Sequence, residues 1–198
     1  MTEAIIRVRN LIGDILTVVP NDTQEYLGGS KIFNLMYSTI DSSTLVVYKN
    51  GTIWTSGNYS YSSVTGKVTV TGTLTTGDVL NFQYSAYTKY SDSELKGYIR
   101  SALYHLAVEK YRVFTAKSDD IIFPTASDAE YSLISIVAAI LIKGNIKQYR
   151  TPEFTIIFDT DNMSVEKKIK TVLNQYKKSF GYITYVDLTA EMAETEDD

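Results

Sequence analysis

Residues 84–95 read Tyr84-Ser85-Ala86-Tyr87-Thr88-Lys89-Tyr90-Ser91-Asp92-Ser93-Glu94-Leu95. The first half closes a Tyr-rich β segment. The second half opens a helix, with no linker between them. Ser91 and Glu94 have the spacing of a capping box, in which a hydroxyl and a carboxylate each satisfy an orphan backbone N–H. Leu95, Ile99, Ala102 and Leu106 then form one apolar stripe, widened by Leu103, and the helical pattern fades near Phe114. On the far side of the β segment the spacing of Ile5, Val8, Leu11 and Ile12 predicts a short helix over Glu3–Gly13, with Gly13 as its stop. The sheet therefore reads as inserted between two helices that belong together.

From Ile15 to Tyr87 the period is that of strands. Thr44–Lys49 and Thr52–Thr55 flank Asn50-Gly51, a pair suited to a hairpin turn because both of its central residues need positive φ. Asn58–Tyr61 and Lys67–Thr71 flank Thr65-Gly66, a second hairpin, and Gly77-Asp78 makes a third turn. In the strand that follows, Leu80, Phe82 and Tyr84 alternate with Val79, Asn81 and Gln83, giving one apolar and one wet face. The turn spacing predicts an antiparallel meander of about four to six strands.

Beyond a loop at Ser118–Pro124, Ser127 and Glu130 repeat the capping signature. The run Leu133–Ile142 is apolar almost all round, so this third helix must be covered on more than one side; a central helix within one subunit is the ordinary reading, and a neighbouring subunit is the other source of cover. Ile136, Val137 and Ile140 are the candidate interface residues there. Pro152 breaks the chain, Glu153–Phe158 reads as a short strand or arm, and a fourth helix runs from about Ser164 to Phe180. Its Lys167, Lys170, Lys177 and Lys178 fall within an arc of about 100° opposite the apolar face. That face is either simply solvated or a docking surface for an acidic partner or a phosphate backbone. After Gly181, the residues Tyr182, Ile183, Tyr185, Val186 and Leu188 follow a strand pattern, then an acidic end begins.

The fold class is therefore α+β. A bundle of about four helices (1–14 and 89–181) carries an antiparallel β-meander (15–88) between helices one and two, with an extended acidic tail at 182–198. Composition narrows the chemistry. Among 198 residues there are 16 Tyr, 7 Phe and 1 Trp, a bias that suits interfaces as well as sheet faces. With no Cys, disulfides, thiolate zinc sites and thiol catalysis are excluded. No signal peptide or membrane span is expected, because the longest apolar stretch is too short. Net charge is −4, but six carboxylates lie from Asp187 to Asp198 with no Lys or Arg. With those set aside, 17 acidic residues face 19 basic ones, a body near +2, which argues against tight sequence-independent nucleic-acid binding.

No constellation for catalysis emerges. The single His105 lies mid-helix, and there is no Gly-x-Ser-x-Gly elbow, P-loop or Gly-x-Gly-x-x-Gly. Asp159-Thr160-Asp161-Asn162 resembles the start of a calcium loop, but Ser164 stands where Gly is required, so a helix-capping turn is the better reading. Asp119, Asp120 and Asp128 read as helix-flanking carboxylates. The chain is expected to be no enzyme and to need no cofactor or metal.

The order of these signatures resembles the head-to-tail connector, or adaptor, proteins of tailed bacteriophages. It is carried by the helix ending Leu11–Asp14, Val47–Gly51, Tyr59–Tyr61, Thr65–Thr69, Gly77–Leu80 and Tyr90–Leu95, and covers roughly Ile5 to Tyr149. The resemblance implies a structural virion protein of the neck, made and assembled in the host cytoplasm. It implies a homo-oligomeric ring of about twelve subunits beneath the portal protein, joined on the other side to the next neck or tail protein. DNA would pass through the channel without specific binding, and no membrane is involved. It places Tyr182–Leu188 on the portal or an adjacent subunit, as an added strand. Trp54, Tyr59 and Tyr61 are candidate subunit contacts. The alternative reading is a binding module of a phage tail or surface protein, in which the same three residues form a concave cluster for a glycan or receptor.

Overall fold

A computed structural model of the chain describes residues 1–63, 65–118, 120–158 and 163–180. It is α+β, with four helices and antiparallel sheets among those residues. The chain divides into two compact units: residues 14–92, and residues 1–13 together with 93 onward.

The β unit holds β1 (Leu16–Glu25), β2 (Ile32–Asn34), β3 (Ile40–Lys49), β4 (Thr52–Trp54), β5 (Tyr59–Ser62), β6 (Lys67–Val70) and β7 (Val79–Tyr87). They form two sheets, ordered β1-β7-β3-β4 and β2-β6-β5, not the single meander expected. Only β3–β4 and β5–β6 are neighbours in both sequence and sheet. Both are joined at the predicted turns, where Asn50, Gly51 and Gly66 have φ of 50°, 79° and 68°. The physical reason for the difference lies in β7. Its alternation buries Leu80, Phe82, Tyr84 and Ala86 completely or nearly so. So well-patterned a strand takes the centre of a sheet and pairs on both edges, with β1 and β3. A period of two fixes which face is buried but does not choose the partner. The β1 edge accommodates Pro20 at a register shift between Val19 and Asp22, where a missing N–H is tolerated.

Both sheets feed one core, which includes Val19, Phe33, Leu45, Val47, Val68, Val70, Leu80, Phe82 and Tyr84. Phe33 of one sheet and Phe82 of the other meet with ring centroids 5.8 Å apart. Inside this core the buried Asp22 carboxyl group accepts from the Tyr84 hydroxyl at 2.8 Å and the Met36 N–H at 2.7 Å, so its polar atoms are satisfied by hydrogen bonds. Burial, and then the bond to Asp22, push the Tyr84 phenol well above its ordinary pKa.

The helical unit contains α1 (Thr2–Ile12), α2 (Asp92–Val108), α3 (Asp128–Ile142) and α4 (Val165–Phe180). It also has two short antiparallel pairs, β8 (Thr115–Ala116) with β9 (Ile122–Phe123) and β10 (Gln148–Arg150) with β11 (Thr155–Ile157). Gly13, with φ 66°, ends α1 as predicted. The stripe Leu95, Ile99, Ala102, Leu103 and Leu106 is buried. However, α2 stops at Val108 and not near Phe114, because Lys110 turns to φ 52°, which no helix continues. The capping box at Ser127 and Glu130 is formed on α3: the Ser127 N–H donates to the Glu130 carboxylate at 2.8 Å and the Glu130 N–H to the Ser127 hydroxyl at 3.3 Å.

Helix α3 is the axis of this unit. Leu133, Ile134, Ile136, Val137, Ala138, Ala139 and Ile140 are all fully buried. Each such Ile or Leu contributes about 1.5–3 kcal/mol. Both α1 and α4 pack against it. The Ser135 hydroxyl donates to the Ala4 carbonyl of α1, and the Lys143 ammonium donates to the Ile12 carbonyl at the C-terminal end of α1.

Candidate functional site

Of the two sources of cover for the third helix, the structure shows the one within the chain, and Ile136, Val137 and Ile140 are not surface residues. Ile136, Val137 and Ile140 are buried to 0 % exposure by the chain itself, leaving no side chain for a neighbouring subunit to cover. Covering a helix that is apolar around its girth needs several partners, and α1 and α4 supply two of them. The sequence pattern stated the need for cover but not its source.

In the β unit, Trp54, Tyr59 and Tyr61 are half-buried and packed against the shared core. The Tyr59 hydroxyl donates to the Leu45 carbonyl at 3.3 Å and the Tyr61 hydroxyl to the Ser38 carbonyl at 2.7 Å. Both phenols thus tie β5 to segments beyond its own sheet. Trp54 lies under the Lys49 ammonium, 5.5 Å from the ring centroid. Gly72 sits so close that an added Cβ would come within 2.7 Å of the indole. The Tyr59 and Tyr61 hydroxyls and the Trp54 ring are thus engaged within the β unit.

Lys49 also reaches a latch at one end of the β unit. The Asp78 carboxylate accepts from the Thr75 N–H at 2.7 Å, the Asn50 amide at 2.7 Å and the Lys49 ammonium at 2.9 Å. Asn50 completes the latch through its side-chain oxygen, which accepts from the Val79 N–H at 2.8 Å. The bond from Thr75, followed by those from Lys49 and Asn50, holds the Asp78 carboxyl down at about 2. The role is structural: the latch joins the Asn50-Gly51 turn to the Gly77-Asp78 turn.

The lysines of the fourth helix are where helical periodicity places them. Lys167, Lys170 and Lys178 are exposed and Lys177 is half-buried, opposite the buried Ile169, Val172, Leu173 and Tyr176. Lys170 makes a loose pair with Glu109 at 3.7 Å, exposed and therefore worth little. Among the described residues no carboxylate pairs with Lys167 or Lys178. Lys168, 100° away from Lys167 on the wheel, is 1 % exposed. Its ammonium donates to the carbonyls of Gly144 and Ile146 and lies over the Phe158 ring, closing the turn that follows α3. This buried lysine was missed in the sequence; its position between the polar arc and the apolar face was the available signal. At the C-terminal end of α4 the Phe154, Tyr176 and Phe180 rings stack with centroids 4.8–5.7 Å apart, which fixes the point where the chain leaves the helix.

A second polar cluster is structural too. Arg7 of α1 donates to Glu3 at 2.8 Å, Glu153 at 2.9 Å and the Ser132 hydroxyl at 2.5 Å. Burial raises the Glu153 pKa, but bonds from Ser132 and Arg7 outweigh it and leave the carboxyl below its ordinary range. Asp120 accepts from Lys96 and sits 3.5 Å from Arg100, and Asp128 lies 3.5 Å from Arg7. His105 is half-buried on α2 beside the Tyr104 ring.

Among the described residues, no group of three or more His, Cys, Asp or Glu is placed to hold a metal ion, and no helix is long and apolar enough to cross a membrane. Tyr182, Ile183, Tyr185, Val186 and Leu188, the acidic end, Asp119 and the Asp159–Asn162 turn lie outside the described residues. No protein-family profile matches the chain, and no curated protein matches it.

Proposed function

We propose that this chain is a structural, non-catalytic subunit of a phage neck: a head-to-tail adaptor that assembles as a ring beneath the portal, around the DNA channel. The observation that carries the reading is the chain organisation. Residues 1–13 join residues from 93 onward in one compact unit, while all of residues 14–92 form another. That division supports reading the chain as a helical core with a β domain inserted between its first and second helices, the pattern on which the resemblance rests. The rival reading, an aromatic binding face, is weakened because the Tyr59 and Tyr61 hydroxyls bond internally.

In the adaptor reading, the contacts between subunits fall on exposed apolar side chains such as Tyr104 and Val108 of α2, not on α3. Closing a ring needs two different complementary faces on each subunit. The segment Tyr182–Leu188 supplies a strand to the portal or to the next subunit. The test is co-sedimentation with portal-containing heads, comparing the full chain with one ending at Gly181. Binding by the full chain and loss of binding on truncation support the proposal. Failure of the full chain to co-sediment overturns the adaptor role, and equal binding by both removes the C-terminal segment from it.

A further inference from the structure

We propose that the lysine face of α4 is a docking surface for the acidic segment Asp187–Asp198 of the same chain. Charge complementarity is the first argument. The solvent side of α4 carries Lys167, Lys170, Thr171, Asn174 and Lys178 along four turns, with no carboxylate of the helix between them. Glu166 lies at its flank, and Glu109 makes a loose pair with Lys170 at 3.7 Å. Asp187, Glu191, Glu194, Glu196, Asp197 and Asp198 match this surface with six carboxylates and no cation.

Reach is the second argument. Phe180 is anchored by the Phe154 and Tyr176 rings, so the acidic segment starts from a fixed point. Lys178 and Lys177 lie in the last turn of α4, and Lys167 lies about 20 Å back along the axis at 1.5 Å per residue. Six residues separate Phe180 from Asp187. They span up to about 20 Å, and the twelve residues after them up to about 40 Å, so the segment can reverse and lie along the whole face. A tether this short holds the acidic groups at an effective concentration in the millimolar range, well above that of a second molecule in dilute solution. The docked segment neutralises the lysine face of α4. That leaves polyanions a weaker target than the near +2 body alone would present. The inference concerns the free chain, before Tyr182–Leu188 is engaged by any partner, and does not depend on the adaptor role.

The experiment is carbodiimide coupling of the full chain at low micromolar concentration, followed by peptide mass spectrometry of the monomer band. Zero-length links form only between carboxylates and amines already in contact. The expected result is that links from the 187–198 segment concentrate at least about tenfold on Lys167, Lys170, Lys177 and Lys178 over the exposed Lys67 and Lys117, and fade in 1 M salt, where the screening length falls to about 3 Å. Even spread over all exposed lysines, or tail-to-α4 links confined to the dimer band, overturns the proposal. A Lys167→Arg, Lys170→Arg, Lys178→Arg variant keeps the charge but removes the coupling sites. If it abolishes the links at positions 167, 170 and 178 while the yield on Lys177 persists, charge and not a particular amine holds the contact; if the Lys177 yield also vanishes, the proposal falls.

Discussion

Replacing Phe82 with Ala tests the division into two units. Phe82 is fully buried at the centre of β7, between the two sheets and against Phe33. Removing its ring deletes transfer free energy and leaves a cavity that packed β strands cannot close, a cost of about 3–5 kcal/mol. A unit of roughly 80 residues has a total stability on the order of 4–12 kcal/mol. The change therefore removes about a quarter of it or more. At about 4–8 °C per kcal/mol for a unit of this size, the midpoint of the β unit falls by about 12–40 °C. The chain offers two separate reporters. Trp54, the single Trp, sits on β4 of the β unit, whereas the α-helical signal at 222 nm comes mainly from the other unit. Thermal melts followed by Trp fluorescence and by circular dichroism should separate in the variant: the fluorescence transition moves down and the helical one stays within about 2 °C. If both transitions move together by the full amount, the sheets and helices form a single cooperative core and the argument from two units fails.

The remaining predictions concern buried groups in each unit. Ile136→Glu puts a carboxylate into a fully buried site on α3, so the helical unit should lose its cooperative melt at 222 nm. A folded, soluble Ile136→Glu chain deficient only in assembly would restore the subunit interface that the structure removes. Asp78 has a depressed pKa of about 2 against an unfolded value of 3.8, so its stabilisation is present above about pH 4 and lost as pH falls through about 2. Urea titrations by Trp54 fluorescence should show Asp78→Asn less stable than the natural chain at pH 7, with the gap closing between pH 4 and pH 2. A gap that stays constant over that range would assign the latch to something other than the Asp78 charge.

Local chemistry was legible in the sequence and long-range partnership was not. Asn50-Gly51 and Thr65-Gly66 announced their turns because few residues accept positive φ. The Ser127–Glu130 spacing announced a cap because the bonds close within three residues. The alternation from Val79 to Tyr84 announced the buried face of β7. None of these signals states that β7 lies between β1 and β3, since those pairings join residues about 54–71 apart with β1 and about 31–46 apart with β3, and the patterns fit several partners equally. β1 was harder still, because Pro20 and the bulge at Val19–Asp22 break its alternation. On α3 the apolar girth was plain, yet the sequence cannot say whether cover comes from α1 and α4 or from a second copy. The lysine face of α4 was legible for the opposite reason: on one amphipathic helix, periodicity alone decides what faces water.

The proposed ring beneath a portal is decided by the mass of the assembled particle. Native mass spectrometry of the full chain mixed with its portal ring should show one dominant species. Its mass should exceed that of the portal by about twelve copies of 22.2 kDa, with partly filled rings scarce. A portal that keeps its own mass beside a free 22.2 kDa chain at every mixing ratio would contradict the account.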